Sequence, residues 1–310
     1  MPEVHGYWAH KYVLSLLQPH GFGNDVEFFH RYICKTAKIV NPQICRVIAL
    51  GSGNCELKAM LVQSLLAAGV TNVTIECTDL NPYMLDRGRA LAAEKGISDR
   101  LNFTQIDINQ WQSEGKYDVV IAAHSLHHFL ALEHLFDAIR GCLNENGYFL
   151  NHDMIGRNGH MRWPEALEIV NMLWTELPDD YKYNHLQRRV ELTYENFECS
   201  TDGFEGIRAQ NILPLLIQQL QFVLFVPFGN LIDIFVDRCF GFNFDCAKSS
   251  DIDFIDRVQR MDQEAIEAGR ITPTHMYAAM KISKPSEQHL IKHLTPAFRV
   301  RKINQHLIST

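Results

Sequence analysis

The chain has 310 residues, 46% of them hydrophobic and 21% charged, enough for the core of one large domain or two modest ones; a disordered, collagen-like or small disulfide-framed protein is excluded. Twenty-nine basic against 36 acidic side chains leave a formal net charge of −7, which disfavours nucleic acid as a partner and favours a small molecule. The eight cysteines are dispersed without a CxxC pair, and the first residues lack a basic region followed by an apolar stretch, so a reduced, cytoplasmic protein is expected.

Residues 1–45 carry Tyr7, Trp8, Tyr12, Phe22, Phe28, Phe29 and Tyr32 at mainly helical spacing, broken by Pro19, Gly21 and Gly23, and read as a helical cap over the mouth of the adjoining sheet domain. From 46 to 155 short apolar runs alternate with longer amphipathic segments. Strands are predicted at 46–50, 73–78, 101–106, 117–122 and 147–152, with helices at 56–67, 82–95 and 132–143 between them, the pattern of a parallel sheet with crossover helices. Residues 156–210 interrupt this with a helix at 164–177 and a polar stretch rich in Tyr and Arg, expected to be an insertion covering the pocket.

Residues 211–283 resume the alternation with helices at 212–220, 230–239 and 252–268 and strands at 222–226 and 275–282, completing the sheet domain. The uncharged run 209–232 contains Gln210, Asn211, Gln218, Gln219, Gln221, Asn230 and two prolines; it reads as helix, strand and helix, and no membrane span is expected. Residues 284–310 form a basic tail (Lys284, Lys292, Arg299, Arg301, Lys302) with His289 and His293 one turn apart, read as a solvated end. The whole predicts an α/β, Rossmann-like, doubly wound and mostly parallel seven-stranded sheet with helices on both faces.

The first strand runs into Gly51-Ser52-Gly53-Asn54-Cys55 and a helix, where glycines allow close backbone approach and unpaired helix N–H groups face a ligand. A dinucleotide fingerprint would have a third glycine here. Asp79 closes the second strand and Asp107 the third, and Tyr117-Asp118-Val119-Val120-Ile121-Ala122 forms the fourth. With VIALGSGNCEL at 47–57, ECTDLNPYML at 76–85, TQIDI at 104–108, YDVVIAAHSLHHF at 117–129 and LNENGYFL at 143–150, the chain resembles the class I S-adenosylmethionine (AdoMet)-dependent methyltransferases.

That resemblance implies that Gly51, Ser52 and Gly53 pass beneath the methionine portion of AdoMet, that Asp79 accepts from the ribose hydroxyls and Asp107 from the adenine amino group, and that Leu80 and Ile108 flank the adenine. The other roles open to them are that Asp79 caps the helix beginning near Pro82 and that Asp107 caps a turn before Trp111. Two positions depart from the family pattern: Ala49 stands where an acid is usual, and Cys55 where a third glycine is usual.

Ligands of open α/β sheets sit outside the carboxyl ends of the strands, which points to His124, Ser125, His152 and Asp153. Methyl transfer needs an aligned nucleophile, and a hydroxyl acceptor is helped by a base of near-neutral pKa, so His124 and His152 are the catalytic candidates, His124 also lining the cofactor. His127 and His128 lead into the next helix and have a structural alternative. His152, Asp153 and His160 match no established ligand spacing, and no metal is expected. Asp153, Arg157, Arg162, Tyr181 and Tyr183 are the candidate acceptor-binding residues; the arginines of the insertion, Arg188, Arg189 and Arg208 included, suit an anionic group or pair with the segment's glutamates. The expected activity is AdoMet-dependent methyl transfer to an O or N nucleophile of a small-molecule acceptor; a catalytically inactive binding or regulatory protein and an RNA or protein methyltransferase are the alternatives.

Overall fold

The apolar runs form strands β1 (Cys45–Leu50), β2 (Val73–Asp79), β3 (Leu101–Gln105), β4 (Tyr117–Ala123), β5 (Leu143–Met154), β6 (Gln221–Phe228) and β7 (His275–Lys281) in the computed structural model, which describes residues 1–301. A short strand β8 (His289–Leu290) brings the sheet to eight, in the order β8-β6-β7-β5-β4-β1-β2-β3. Only β7 runs antiparallel to its neighbours. The expected doubly wound sheet is present, with one strand more than the seven read from the sequence.

Helices α1 (Glu3–Trp8), α2 (Asp25–Val40), α3 (Glu56–Ala67), α4 (Pro82–Glu94), α5 (Leu132–Cys142), α6 (Pro164–Glu176), α7 (Ala209–Gln219), α8 (Leu231–Val236) and α9 (Ser249–Glu267) complete the framework. Val47 and Ala49 of β1 pack into one core layer with α2 and α3, while Ile48 and Leu50 pack into the other with α5 and α7. Successive residues of a strand point to opposite faces, so a strand covered on both sides reads as a continuous apolar run.

Residues 1–45 only partly behave as the expected cap. The helical run from α1 continues to Leu17 and stops at Gly21, whose φ of 81° lies in the left-handed region. Asn24 then caps α2, its side chain accepting from Glu27 N at 2.9 Å while Glu27 accepts from Gly23 N at 2.8 Å. Helix α2 lies on a face of the sheet against α3, β1, β4 and β5, with Phe28, Phe29 and Ile33 fully buried, rather than over its mouth. Its first turn alone reaches the strand ends.

Residues 229–274 differ from expectation in the opposite sense. Phe228, the last residue of β6, pairs directly with His275, the first of β7, so α8 and α9 are not crossovers within the sheet but an excursion from its carboxyl end. The excursion meets the N-terminal run, where Trp8 Nε1 donates to Gln259 at 2.6 Å and Tyr7 to Asp256 at 2.8 Å. It also meets the segment after β5, where Trp174 packs edge-on against Phe240 with centroids 4.8 Å apart. Three separated segments thus make one cover.

The tail is not a solvated end over its described part. His289 and Leu290 pair with Leu224 and Phe225, His293 Nε2 reaches the Glu267 carbonyl oxygen at 2.8 Å, Arg299 is buried and donates to the Ile266 carbonyl, and Arg301 pairs with Glu165. Lys302 lies outside the described residues. Among the described residues no helix is long and apolar enough to cross a membrane; the run 209–232 is α7, β6 and the start of α8.

Candidate active site

Strand β1 lies between β2 and β4, so the winding of the sheet reverses there and leaves a crevice outside the carboxyl ends of β1 and β4. The turn after β1 is shaped for close approach. Gly51 has φ 65°, and a Cβ on it would stand 2.8 Å from Ser125 Cβ and 3.1 Å from Phe129. Gly53 has φ 55°, with no other atom within 4 Å of where its Cβ would be, so its face is open. Ser52 is tied down, its N–H donating to Thr78 O at 2.7 Å and its hydroxyl to Ala49 O at 2.9 Å.

Asp79 braces this turn, Oδ2 accepting from Gly53 N at 2.8 Å and Oδ1 from Asn81 N at 2.9 Å. The cap of α4 is Asn81, accepting from Tyr83 N at 3.0 Å, rather than Asp79. Asp107 does cap a turn: Oδ1 accepts from Asn109 N at 3.0 Å. Each carboxylate oxygen can accept more than one donor, so these bonds orient both groups without exhausting them. Leu80 is 62% exposed beside Asp79, whereas Ile108 is buried with Trp111. Cys55 takes the left-handed conformation usual for a glycine, φ 63°, and its thiol is accommodated because Gly88 leaves room for it. Glu56 is exposed and pairs with Asn54, while Lys58 is buried with Nζ 3.4 Å from Ser52 O, its pKa lowered by desolvation.

At the ends of β4 and β5 the structure brings His124 and His152 together, rings 4.1 Å apart between centroids, with His124 N donating to His152 O at 2.8 Å. His124 has φ 50°, a conformation uncommon for a non-glycine residue, which turns its ring toward His152. The surrounding protein, then the neighbouring His152, lowers its pKa, although His124 is itself exposed to solvent. His152 stacks on Tyr277, 3.9 Å between centroids, and its Nδ1 lies 2.8 Å from Asp25 Oδ1. Asp25 comes from the first turn of α2 and accepts the Tyr277 hydroxyl at 2.5 Å. Burial opposes the charge on Asp25, but His152, Tyr277 and His124 together hold its pKa below the ordinary carboxylate range. Phe228 packs beside His152 and Tyr277, with Trp8 behind it.

The other strand-end candidate has a supporting position. Asp153 is wholly buried and accepts from the N–H groups of Ser125, Leu126 and Met154 at 2.8–2.9 Å, with His127 Nδ1 2.5 Å away. It fastens the loop after β4 and has no face toward an acceptor. Arg162 is likewise buried, donating to Asn230 O, His160 O and Asp233, and Arg208 forms a two-point pair with Glu133. Arg189 pairs with Glu195. Only Arg189 pairs with a glutamate of its own segment; Arg162 is held inside the protein and Arg208 pairs with Glu133 of α5, so none of the three presents an unengaged guanidinium. Arg157 lies over the Trp163 ring at 5.1 Å. Tyr181 donates to Asp251 at 2.7 Å and packs on Phe244, and Tyr183 stands on a small hairpin (Tyr183–Asn184 with Arg189–Val190) against His185; these contacts do not join either tyrosine to the two histidines.

Sequence reasoning missed Asp25, Tyr277 and Lys58. Asp25 comes directly after a helix cap, where an acid has a sufficient local reason, and Tyr277 and Lys58 lie within apolar patterns that signal core.

The reversed sheet order, the glycine turn and the acids at the ends of β2 and β3 define a Rossmann-like architecture with its crevice at the carboxyl ends of β1 and β4. Residues 48–149 match a family model described as a methyltransferase domain, in keeping with the methyl transfer and the AdoMet cofactor expected from the sequence. No curated protein matches the sequence. Among solved structures, the chain is similar to a putative sarcosine dimethylglycine methyltransferase from Galdieria sulphuraria, at 12% identity over 91% of this chain and 99% of that one, with a TM-score of 0.48. It is also similar to a geranyl diphosphate methyltransferase in complex with AdoMet, at 11% identity over 82% and 84% of the two chains and a TM-score of 0.46. A third likeness is to an O-methyltransferase of a polyketide synthase multienzyme from Brevibacillus brevis in complex with S-adenosyl-L-homocysteine, at 13% identity over 87% and 75% of the chains and a TM-score of 0.42.

The residues present fit AdoMet: the open face at Gly53 leaves room for a methionine portion, the Asp79 carboxylate beside it keeps lone pairs for ribose hydroxyls, and a side chain at Gly53 would fill that cradle.

Proposed function

We propose that this chain methylates an O or N nucleophile of a small-molecule acceptor enclosed by the three-segment cover, with His152 as general base, Asp25 balancing the proton it gains, and His124 lining the cofactor. The observation that carries the reading is the convergence of Asp25, His124 and His152 from α2, β4 and β5 at the carboxyl end of the sheet.

AdoMet, when bound, supplies an electrophilic methyl group on a sulfonium. Gly51, Ser52 and Gly53 would hold its methionine portion, Asp79 its ribose, and Asp107, Leu80 and Ile108 its adenine. A histidine beside a sulfonium should carry no charge, and the lowered pKa of His124 keeps it neutral at working pH. His152, held flat by Tyr277 and faced by the Asp25 carboxylate, is suited to take the proton of an acceptor hydroxyl as the new bond to carbon forms, or that of an acceptor ammonium beforehand, freeing the amine lone pair that attacks. The cover, spread over residues 1–20, 155–208 and 229–274, supports a small acceptor over RNA or protein. Arg157 remains a candidate for contact with an acceptor; with Arg162 and Arg208 engaged inside the protein, the insertion gives little support to an anionic acceptor. The cysteine usage supports a cytoplasmic location.

Calorimetry with AdoMet, S-adenosylhomocysteine and NAD in parallel tests the cofactor half: the first two bind, and binding of NAD alone overturns the reading. An acceptor screen over phenols, amines and carboxylates, read as S-adenosylhomocysteine release, tests the other half. AdoMet binding without release on any acceptor would favour the regulatory alternative.

A further inference from the structure

Behind the loop that carries His124, a second group of side chains converges that the methyl-transfer reading does not use. We propose that His127, His160 and Glu205 form a binding site for one divalent transition-metal ion of the zinc type, with Asp153 orienting His127.

The ligand atoms are spaced for it. Glu205 Oε2 lies 3.2 Å from His160 Nε2 and 3.8 Å from His127 Nε2, and the three atoms all fall within 4.8 Å of one another. Bonds of about 2.0–2.1 Å in a tetrahedron put neighbouring ligand atoms about 3.3–3.4 Å apart, so the observed separations bracket the coordinated one. Two imidazoles and a carboxylate suit zinc, cobalt or iron better than magnesium or calcium, which take oxygen ligands.

The surroundings fix the first ligand before any ion arrives. Asp153 is anchored by three backbone N–H groups and sits 2.5 Å from His127 Nδ1. A carboxylate there holds the proton on Nδ1 and leaves the Nε2 lone pair for a metal, the second contact that metal-binding histidines usually have. The other two ligands arrive on segments tied to the first, Ile207 N donating to His127 O and Gly159 N to Gly206 O, each at 3.0 Å. His160 has φ 57°, and a Cβ on Gly206 would stand 3.0 Å from its ring, so the Glu205 segment approaches as closely as a glycine allows. The Glu205 side chain is 52% exposed, which leaves further coordination positions open to water or an oxygen-bearing ligand. Ser125 and Phe129, on either side of His127, touch the Gly51 turn, so the metal site and the cofactor cradle share one loop.

The test is titration of the chelator-treated full chain with Co²⁺, following visible absorption, and competition by Zn²⁺. One equivalent of Co²⁺ giving the intense bands of four- or five-coordination, displaced by Zn²⁺, is expected. Glu205→Gln and His160→Ala should each weaken binding by at least about a hundredfold, and Asp153→Asn by about 10–100-fold as a lost ligand-orienting partner. Glu205 is exposed, so its variant tests the proposal even if His160→Ala or Asp153→Asn fails to fold. Only the pale spectrum of hydrated Co²⁺, or unchanged affinity in Glu205→Gln, overturns the proposal. So does a loss of binding in Asp25→Asn or His124→Ala that Glu205→Gln does not share, which would move the ion to the other histidine cluster.

Discussion

Asp262 is buried at the start of α8, where its two carboxylate oxygens accept the N–H groups of Asn230 and Leu231 at 3.0 Å each. Desolvation, with Asp233 adding like-charge repulsion, pushes its pKa up to about 7 from an ordinary 3.8. A carboxyl whose folded pKa is raised adds stability that is complete below the unfolded value and lost as pH rises through the folded one. Over about three pH units at about 1.36 kcal/mol each, the loss approaches 4 kcal/mol, a large part of the ~5–15 kcal/mol that holds a domain folded. Asp262→Asn cannot ionise but offers one oxygen to two N–H groups, a fixed cost of about 1–3 kcal/mol at every pH. The variant should therefore melt below the wild type at pH 4.5, and the gap should close or reverse by pH 8, a relative change on the order of 5–10 °C. Scanning calorimetry of both proteins across that range is the assay. Comparing the two cancels the opposite trend from carboxylates such as Asp25, whose lowered pKa contributes stability above pH 4 that is lost on acidification. Parallel melting curves from pH 4.5 to 8 would refute the reasoning.

Asp79→Ala should weaken AdoMet binding by at least about tenfold, since it removes both the brace on the Gly53 turn and the acceptor for two hydroxyls; calorimetry with unchanged affinity would remove Asp79 from the site. Gly53→Ala combines a left-handed φ with a methyl group in the open cradle, so AdoMet affinity should fall while the melting temperature moves by only a few degrees, on the order of 1 kcal/mol. Once an acceptor is identified, Asp25→Asn should lower kcat by about 10²–10⁴ with little change in KM, and full turnover in that variant would exclude His152 as a base balanced by Asp25. Lys58→Met replaces a buried amine with an apolar chain of similar length and should raise stability most at neutral pH and least near pH 10, because the lowered pKa of Lys58 costs stability until the amine is neutral in both states. Melting curves that do not separate with falling pH would refute that account.

How much the sequence discloses depends on the range of the interactions involved. Helix α3 begins and ends where periodicity placed it, and β1 to β5 agree with their apolar runs except for the early start of β5, since core-facing alternation and caps such as Asn81-Pro82 are local signals. Helices α8 and α9 carry the same amphipathic signal whether they cross over a sheet or cover it. The pairing of Phe228 with His275, 47 positions apart, decides between these, and no local pattern encodes it. The site divides in the same way. His124 and His152 are legible as candidates because ligands of such sheets bind at strand ends, whereas Asp153, next to His152, points inward through the alternation of β5 to fasten a loop. Asp25 and Glu205 meet their partners across long stretches of sequence, so nothing near them distinguishes them from other surface acids.

The junction of Phe228 and His275 has a further consequence. Because the excursion leaves and re-enters the sheet at one paired position, the hairpin of β6 and β7 would close with a tight turn in place of residues 229–274. This part of the cover is therefore a cassette inserted at a single point. Its length and composition can change without altering the order of strands or the turn after β1.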